Sequence, residues 1–175
     1  MPIALKAEAP PFDLAGVDGK RYTLDSFRTV RLLAVIFSCN HCPYVQAYEE
    51  RMIAIQRDYG PKGVQLVLIN SNDDVKYPED SFPEMAKRAR QKGYPFPYLR
   101  DESQETARAY QAERTPHIFL FDEQRRLRYT GRIDDNWQDP KAVKSHDLRE
   151  ALDALLQGRE PPSNTPAIGC TIKWK

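Results

Sequence analysis

The stretch Arg31 to Phe37 (RLLAVIF) is apolar after its first residue and includes two β-branched side chains. It is too short for a typical helix and shows no polar alternation, so it specifies a strand buried on both faces. It opens into Ser38-Cys39-Asn40-His41-Cys42-Pro43, after which Val45, Tyr48, Met52, Ile55 and Tyr59 recur at spacings of three and four. Those spacings predict a helix with one buried stripe, closed by Gly60-Pro61. A strand covered on both sides cannot stand alone. It needs neighbouring strands in its plane and further elements on each face, which points to an α/β architecture.

The rest of the chain supplies them. Val64 to Ile69 (VQLVLI) is a second buried strand, followed by a polar, turn-rich stretch from Asn70 to Asp80. Helices are expected from about Phe82 to Lys92 and from Gln104 to Gln111, with a short strand at Tyr98-Leu99-Arg100 between them. Strands His117–Phe121 and Leu127–Gly131 flank a turn, and a last helix carries Leu148, Ala151, Leu152, Leu155 and Leu156 on one face. Ser145 is its expected N-cap and Gly158 lies just past its end. Near the start, Asp18-Gly19 between two short extended runs signals a hairpin. Arg125-Arg126-Leu127-Arg128 reads as a solvated hairpin edge. The order strand, helix, strand, helix, two strands, helix gives a central mixed sheet covered on both faces.

With 175 residues the chain is expected to form a single domain over 1–175, with a core at about 9–158 and a C-terminal tail at 159–175. The formal charge of +1 gives no basic excess for nucleic acid or an anionic membrane. No apolar run approaches the roughly 20 residues of a bilayer span. The opening Met1-Pro2-Ile3-Ala4-Leu5-Lys6 has no basic region followed by an apolar one, so a cytoplasmic location is expected. The three cysteines are too few, and odd in number, for a disulfide scaffold.

Cys39 and Cys42 stand in C-x-x-C spacing between a strand and the first turn of a helix. Unpaired backbone N–H groups at a helix start favour a thiolate, which is expected at Cys39. Cys42 lies within reach to close a small disulfide loop, so Cys39 is read as the nucleophile and Cys42 as the resolving thiol. Pro43 suits the first helical turn. Half of a zinc site is the competing reading, but only Cys170, His41, His117 and His146 remain as ligands, with no second close pair. His41 precedes the second cysteine, where it is expected to favour the Cys39 thiolate and make the disulfide more oxidising. Cys170 admits three roles: a remote resolving cysteine, a third ligand for a soft metal such as Cu(I), or a small buried residue where the tail packs back.

Taken in order, several segments resemble the thioredoxin-fold superfamily, in the redoxin branch that joins peroxiredoxins to cytochrome-maturation thioredoxins. They are Ala9-Pro10-Pro11-Phe12-Asp13-Leu14, Asp18-Gly19-Lys20, Leu24-Asp25-Ser26-Phe27, the strand into Cys39-x-x-Cys42, Tyr94 to Asp101, and Thr115-Pro116-His117-Ile118-Phe119. Phe37 to Tyr44, Gly131 to Asn136 and Gly169-Cys170-Thr171-Ile172-Lys173 are similar to a peroxiredoxin-like group within it. The resemblance implies a thioredoxin-like three-layer sandwich with an N-terminal hairpin extension. It also implies a cis-proline at Pro116 facing the cysteines, with Thr115 backbone groups pairing with substrate.

The sequence departs from that pattern in places that carry chemistry. Peroxiredoxins place a hydroxyl three residues before their reactive cysteine, where this chain has Ile36, and Arg132 is the one arginine nominated to polarise a peroxide. Leu33 stands where many thioredoxins bury an aspartate, and Val45 where cytochrome-maturation thioredoxins often carry a glutamate. The expected activity is thiol–disulfide exchange on a protein or small-molecule disulfide, with no organic cofactor and no resident metal, and with a thiol electron donor the sequence does not name. Thiol-dependent peroxide reduction at Cys39 and soft-metal binding are the alternatives.

Overall fold

The apolar run folds as a strand whose two faces look into two separate cores. The computed structural model describes residues 1–175. Its strands are β1 (Asp13–Gly16), β2 (Arg21–Thr23), β3 (Leu32–Ser38), β4 (Val64–Asn70), β5 (Tyr98–Arg100), β6 (Arg114–Thr115), β7 (His117–Phe121), β8 (Leu127–Gly131) and β9 (Cys170–Thr171). Its α-helices are α1 (Pro43–Tyr59), α2 (Phe82–Lys92), α3 (Glu105–Tyr110) and α4 (Asp147–Leu156). Leu32, Ala34 and Ile36 of β3 pack with α1, Met85 of α2 and the Leu148–Leu155 face of α4. Leu33, Val35 and Phe37 point the other way, toward Ala107 and Tyr110 of α3 and toward Phe12 and Phe27. Side chains alternate along a strand, so a continuous apolar run serves both cores at once.

Seven strands form one sheet in the order β2-β1-β5-β4-β3-β7-β8. β3 pairs in parallel with β4, and β4 with β5, while β7 runs antiparallel to β3 and β8 to β7. The N-terminal hairpin extends this sheet rather than standing beside it, because Ala15 and Gly16 of β1 pair with Arg100 and Leu99 of β5. The result is the expected three-layer α/β sandwich. No helix is long and apolar enough to cross a membrane.

Two local expectations are corrected. The N-cap of α4 is His146 rather than Ser145, whose hydroxyl instead donates to Asp147 Oδ1 at 2.8 Å. The basic stretch at 125–128 is more than a solvated edge. Arg125 takes a left-handed conformation (φ 59°) that turns its guanidinium inward, where it donates to the carbonyls of Phe27 (2.8 Å), Val30 (2.7 Å) and Asp122 (2.8 Å). Arg125→Ala removes these hydrogen bonds and is expected to cost about 1–3 kcal/mol, read from the urea midpoint at unchanged slope.

The tail returns to the body of the fold. The Thr165 amide donates to Thr130 O at 3.2 Å and the Ile172 amide to Glu113 O at 3.1 Å. Lys173 O accepts from the Asp73 amide at 2.8 Å and from Gln104 Nε2 at 3.0 Å. Ile172 is buried in the second core. Two glycines permit the close approach. A Cβ on Gly131 would collide with Thr165, and one on Gly169 with the Thr115 carbonyl oxygen. Together with the N-terminal residues 6–9, which hydrogen-bond to Arg125 and Leu127, the tail covers β8, the exposed edge of the sheet.

Candidate active site

β3 ends at Ser38 and α1 begins at Pro43, so the chain crosses from sheet to helix through Cys39, Asn40, His41 and Cys42. Cys42 is the N-cap of α1, in extended conformation (φ −71°, ψ 126°), with Pro43 behind it in the first turn. The Thr115–Pro116 peptide bond is cis. Thr115 faces both cysteines: its hydroxyl lies 3.6 Å from Cys39 Sγ, and its carbonyl oxygen lies 3.6 Å from Cys42 Sγ. All three cysteines are free thiols. Cys39 and Cys42 are each only 1% exposed, while Cys170 is half-buried.

The tail brings Cys170 to the same place. β9 pairs antiparallel with β6, with Cys170 opposite Thr115 and Thr171 opposite Arg114. Cys170 is thereby packed, partly buried, against the core cluster that holds Cys39 and Cys42.

This grouping of thiols decides where the charge goes. The Cys42 thiol is pushed down to about 4, chiefly because the Cys39 thiol donates to it. The Cys170 thiol and the amides of Val45 and Cys170 add to that effect, while burial opposes it. Cys39 is pushed up by donating to Cys42, by burial and by the negative charges of Asp80 and Cys42. Cys170 is pushed up to about 11 by burial first and by its contact with Cys42 second. Both directions favour charge on Cys42 over Cys39. Cys42 is also the residue at the start of α1, where unpaired N–H groups favour a thiolate.

The dipeptide between the cysteines is clamped by a residue that sequence reasoning missed. Asp80 is fully buried, and its carboxyl accepts from the Asn40 amide (2.7 Å), Asn70 Nδ2 (3.2 Å) and Asn72 Nδ2 (3.0 Å). Asn40 in turn donates from Nδ2 to Glu79 O at 2.8 Å and accepts from Tyr98 Oη at 2.8 Å. His41 Nδ1 lies 2.5 Å from Asp80 Oδ2, and its ring stacks on Tyr77. His41 thus faces Asp80 while staying near the Cys39 sulfur. One atom from each of Cys39, His41 and Asp80 falls within 4.8 Å of the others, a spacing that metal ligands also use. The Asp80 oxygens are already occupied by amide donors, however, so the group is built as a clamp. The available signal was a cluster of amides and carboxyls, Asn70-Ser71-Asn72-Asp73, directly after a fully buried strand.

Other nominated residues lie elsewhere. Arg132 pairs with Asp147 at 2.8 Å. His117 is buried, with Nδ1 accepting from the Glu113 amide at 3.1 Å, and burial pushes it down to about 4. The Gly131–Asn136 segment has a visible reason for its composition. Asp134 accepts from Tyr48 Oη at 2.8 Å and from Arg51 at 2.8 Å, which fixes the loop so that Trp137 packs on Tyr44 beside the cysteines.

The chain is similar to a structure described as an uncharacterized conserved protein from Geobacillus kaustophilus, at 45% identity and a TM-score of 0.93, over 98% of this chain and 93% of that one. A hypothetical protein of Sinorhizobium meliloti matches at 40% identity and a TM-score of 0.94, over 99% and 96%. A thioredoxin-family thiol:disulfide interchange protein from Chlorobium tepidum shares the fold at 21% identity, with a TM-score of 0.61 over 73% and 86%. A comparison with curated proteins finds no match. The sequence matches the Redoxin family over residues 4–151. With a thioredoxin-like sandwich, a cis-proline ledge and clustered thiols in place, the chain belongs to the Redoxin family, and its redox chemistry is thiol-based.

Proposed function

We propose that this protein is a thiol–disulfide oxidoreductase that uses Cys42 and Cys39 as its exchanging pair. One observation carries the reading: two buried thiols in C-x-x-C spacing at the start of α1 both lie 3.6 Å from Thr115, the residue before Pro116. A thiolate is the nucleophile of disulfide exchange, and a thiol in contact with it is placed to resolve the product. The Cys42 thiolate attacks one sulfur of a substrate disulfide, whose S–S bond breaks as the other sulfur leaves as thiolate. Cys39 then attacks Cys42 and gives its proton to the departing substrate. The substrate leaves as one thiol and one thiolate, the latter taking its proton from water, and a Cys39–Cys42 disulfide remains for a thiol donor to reduce.

Peroxide reduction has less support. It needs a cation to polarise the O–O bond, and the nominated Arg132 is held by Asp147. The exchange reading is tested by treating the reduced protein with excess glutathione disulfide and mapping its cysteines. An intramolecular disulfide containing Cys42 is expected. Three unmodified thiols after prolonged exposure would remove the assignment.

A further inference from the structure

The geometry of the site raises a question of access. Both members of the exchanging pair are 1% exposed, and the face of Thr115 where a partner strand would pair is occupied by the chain's own β9. That strand is not loosely laid. Arg114 Nη1 donates to Gly169 O at 2.9 Å, Ile172 is buried in the second core, and the Lys175 amide donates to Gln104 Oε1 at 3.2 Å. A cover fixed at so many points is a standing part of the site. It carries a cysteine of its own, half-buried, in register with Thr115 and packed against the core cluster that holds Cys39 and Cys42.

We propose that Cys170 is a third exchanging thiol, through which the buried Cys39–Cys42 pair trades electrons with thiols and disulfides in solution. The proposal rests on the exchange reading above and adds the route. Starting from the Cys39–Cys42 disulfide, the Cys170 thiolate attacks Cys42 Sγ and the Cys39–Cys42 bond breaks. Cys39 leaves as thiolate and takes up the proton that Cys170 gave up. The product is a Cys42–Cys170 disulfide, with no net oxidation or reduction.

A solution thiol, acting as thiolate, then attacks Cys170 Sγ. The Cys42–Cys170 bond breaks, Cys42 leaves as thiolate, and a mixed disulfide forms on Cys170. A second solution thiol releases the Cys170 thiol and carries away a disulfide, so two thiols have given two electrons to the protein. Stable thiolates leave fastest, and Cys42 is the sulfur whose charge its surroundings favour most. In the reverse direction a substrate disulfide is taken up first at Cys170, and Cys42 draws the mixed disulfide inward.

Two measurements test the route. Wild-type protein treated with one equivalent of diamide, quenched in acid, alkylated and digested is expected to yield both Cys39–Cys42 and Cys42–Cys170 peptides. Recovery of Cys39–Cys42 alone, with Cys170 fully alkylated, overturns the proposal and leaves the exchange reading standing. The disulfide forms of Cys170→Ser and Cys170→Ala are then reduced with glutathione in stopped flow. Both are expected to react at least about tenfold more slowly than wild type, because the outer sulfur is missing. Equal or faster reduction would show that the tail is a lid and Cys170 a bystander. Failure of both variants to form a Cys39–Cys42 disulfide, with none in the wild type, would bring down the exchange reading and the route together.

Discussion

Cys42→Ser abolishes disulfide exchange and erases the low-pH thiolate, whereas Cys39→Ser keeps a thiolate and loses its resolving partner. The expectation follows from the grouping of sulfurs. In reduced wild-type protein, ultraviolet thiolate absorbance should show one sulfur titrating near about 4. The other two stay protonated at neutral pH, because burial and the Cys42 charge push both up. Removing Cys42 leaves no sulfur at the helix start, so the early step vanishes and insulin reduction falls to background. Removing Cys39 replaces a thiol donor with a hydroxyl donor. The Cys42 step should then persist at a higher pH, still below the roughly 8.5 of a free thiol. A thiolate titrating well below that value in Cys42→Ser would return the charge to Cys39 and reverse the assignment.

Reduction should stabilise the fold, and the couple should be more oxidising than thioredoxin. A thiolate held by hydrogen bonds exists only in the reduced state, so its stabilisation is lost when the disulfide forms. A potential above about −270 mV, toward roughly −200 mV, is expected, and since 30 mV corresponds to about 1.4 kcal/mol this spans about 3 kcal/mol. One or two hydrogen bonds to a charged group, at about 1.5–3 kcal/mol each, account for it. The pH dependence has a definite sign. Cys42 is depressed in the folded state, so its contribution is complete above the unfolded thiol value, declines as pH falls, and is gone below about 4. Urea midpoints of the reduced and oxidised forms should therefore differ clearly at neutral pH and converge near pH 4. A reduced form no more stable than the oxidised one at pH 7 would contradict the thiolate assignment.

What the sequence disclosed was local. Strand β3, helix α1 and the pair at their junction are adjacent in the chain, so apolar period and proline position were enough to place them. Thr115-Pro116 was legible only through family resemblance, since a threonine–proline pair before a strand has many ordinary uses. Which cysteine takes the charge depends on contacts that the sequence does not display. The deciding facts were where α1 begins and which thiols touch Cys42, and one of those thiols arrives from the far end of the chain. Asp80 escaped for a similar reason. It meets Asn40 across 40 positions, and nothing in Tyr77-Pro78-Glu79-Asp80 separates a buried carboxyl from a solvated turn. Arg125 looked solvated because charge predicts exposure only on average, and its left-handed backbone is invisible in the residue name.

The clamp on Asn40 bears on the same equilibrium from the other direction. Asn40 is fixed by Asp80, Glu79 and Tyr98, so the segment between the cysteines is already ordered while both are reduced. Closing the disulfide then sacrifices little additional chain entropy, and each sulfur faces the other at a high effective molarity. Preorganisation favours ring closure as the stabilised thiolate opposes it. The midpoint of the couple is thus a compromise between a rigid loop and a contented anion, set by different residues and open to adjustment one at a time.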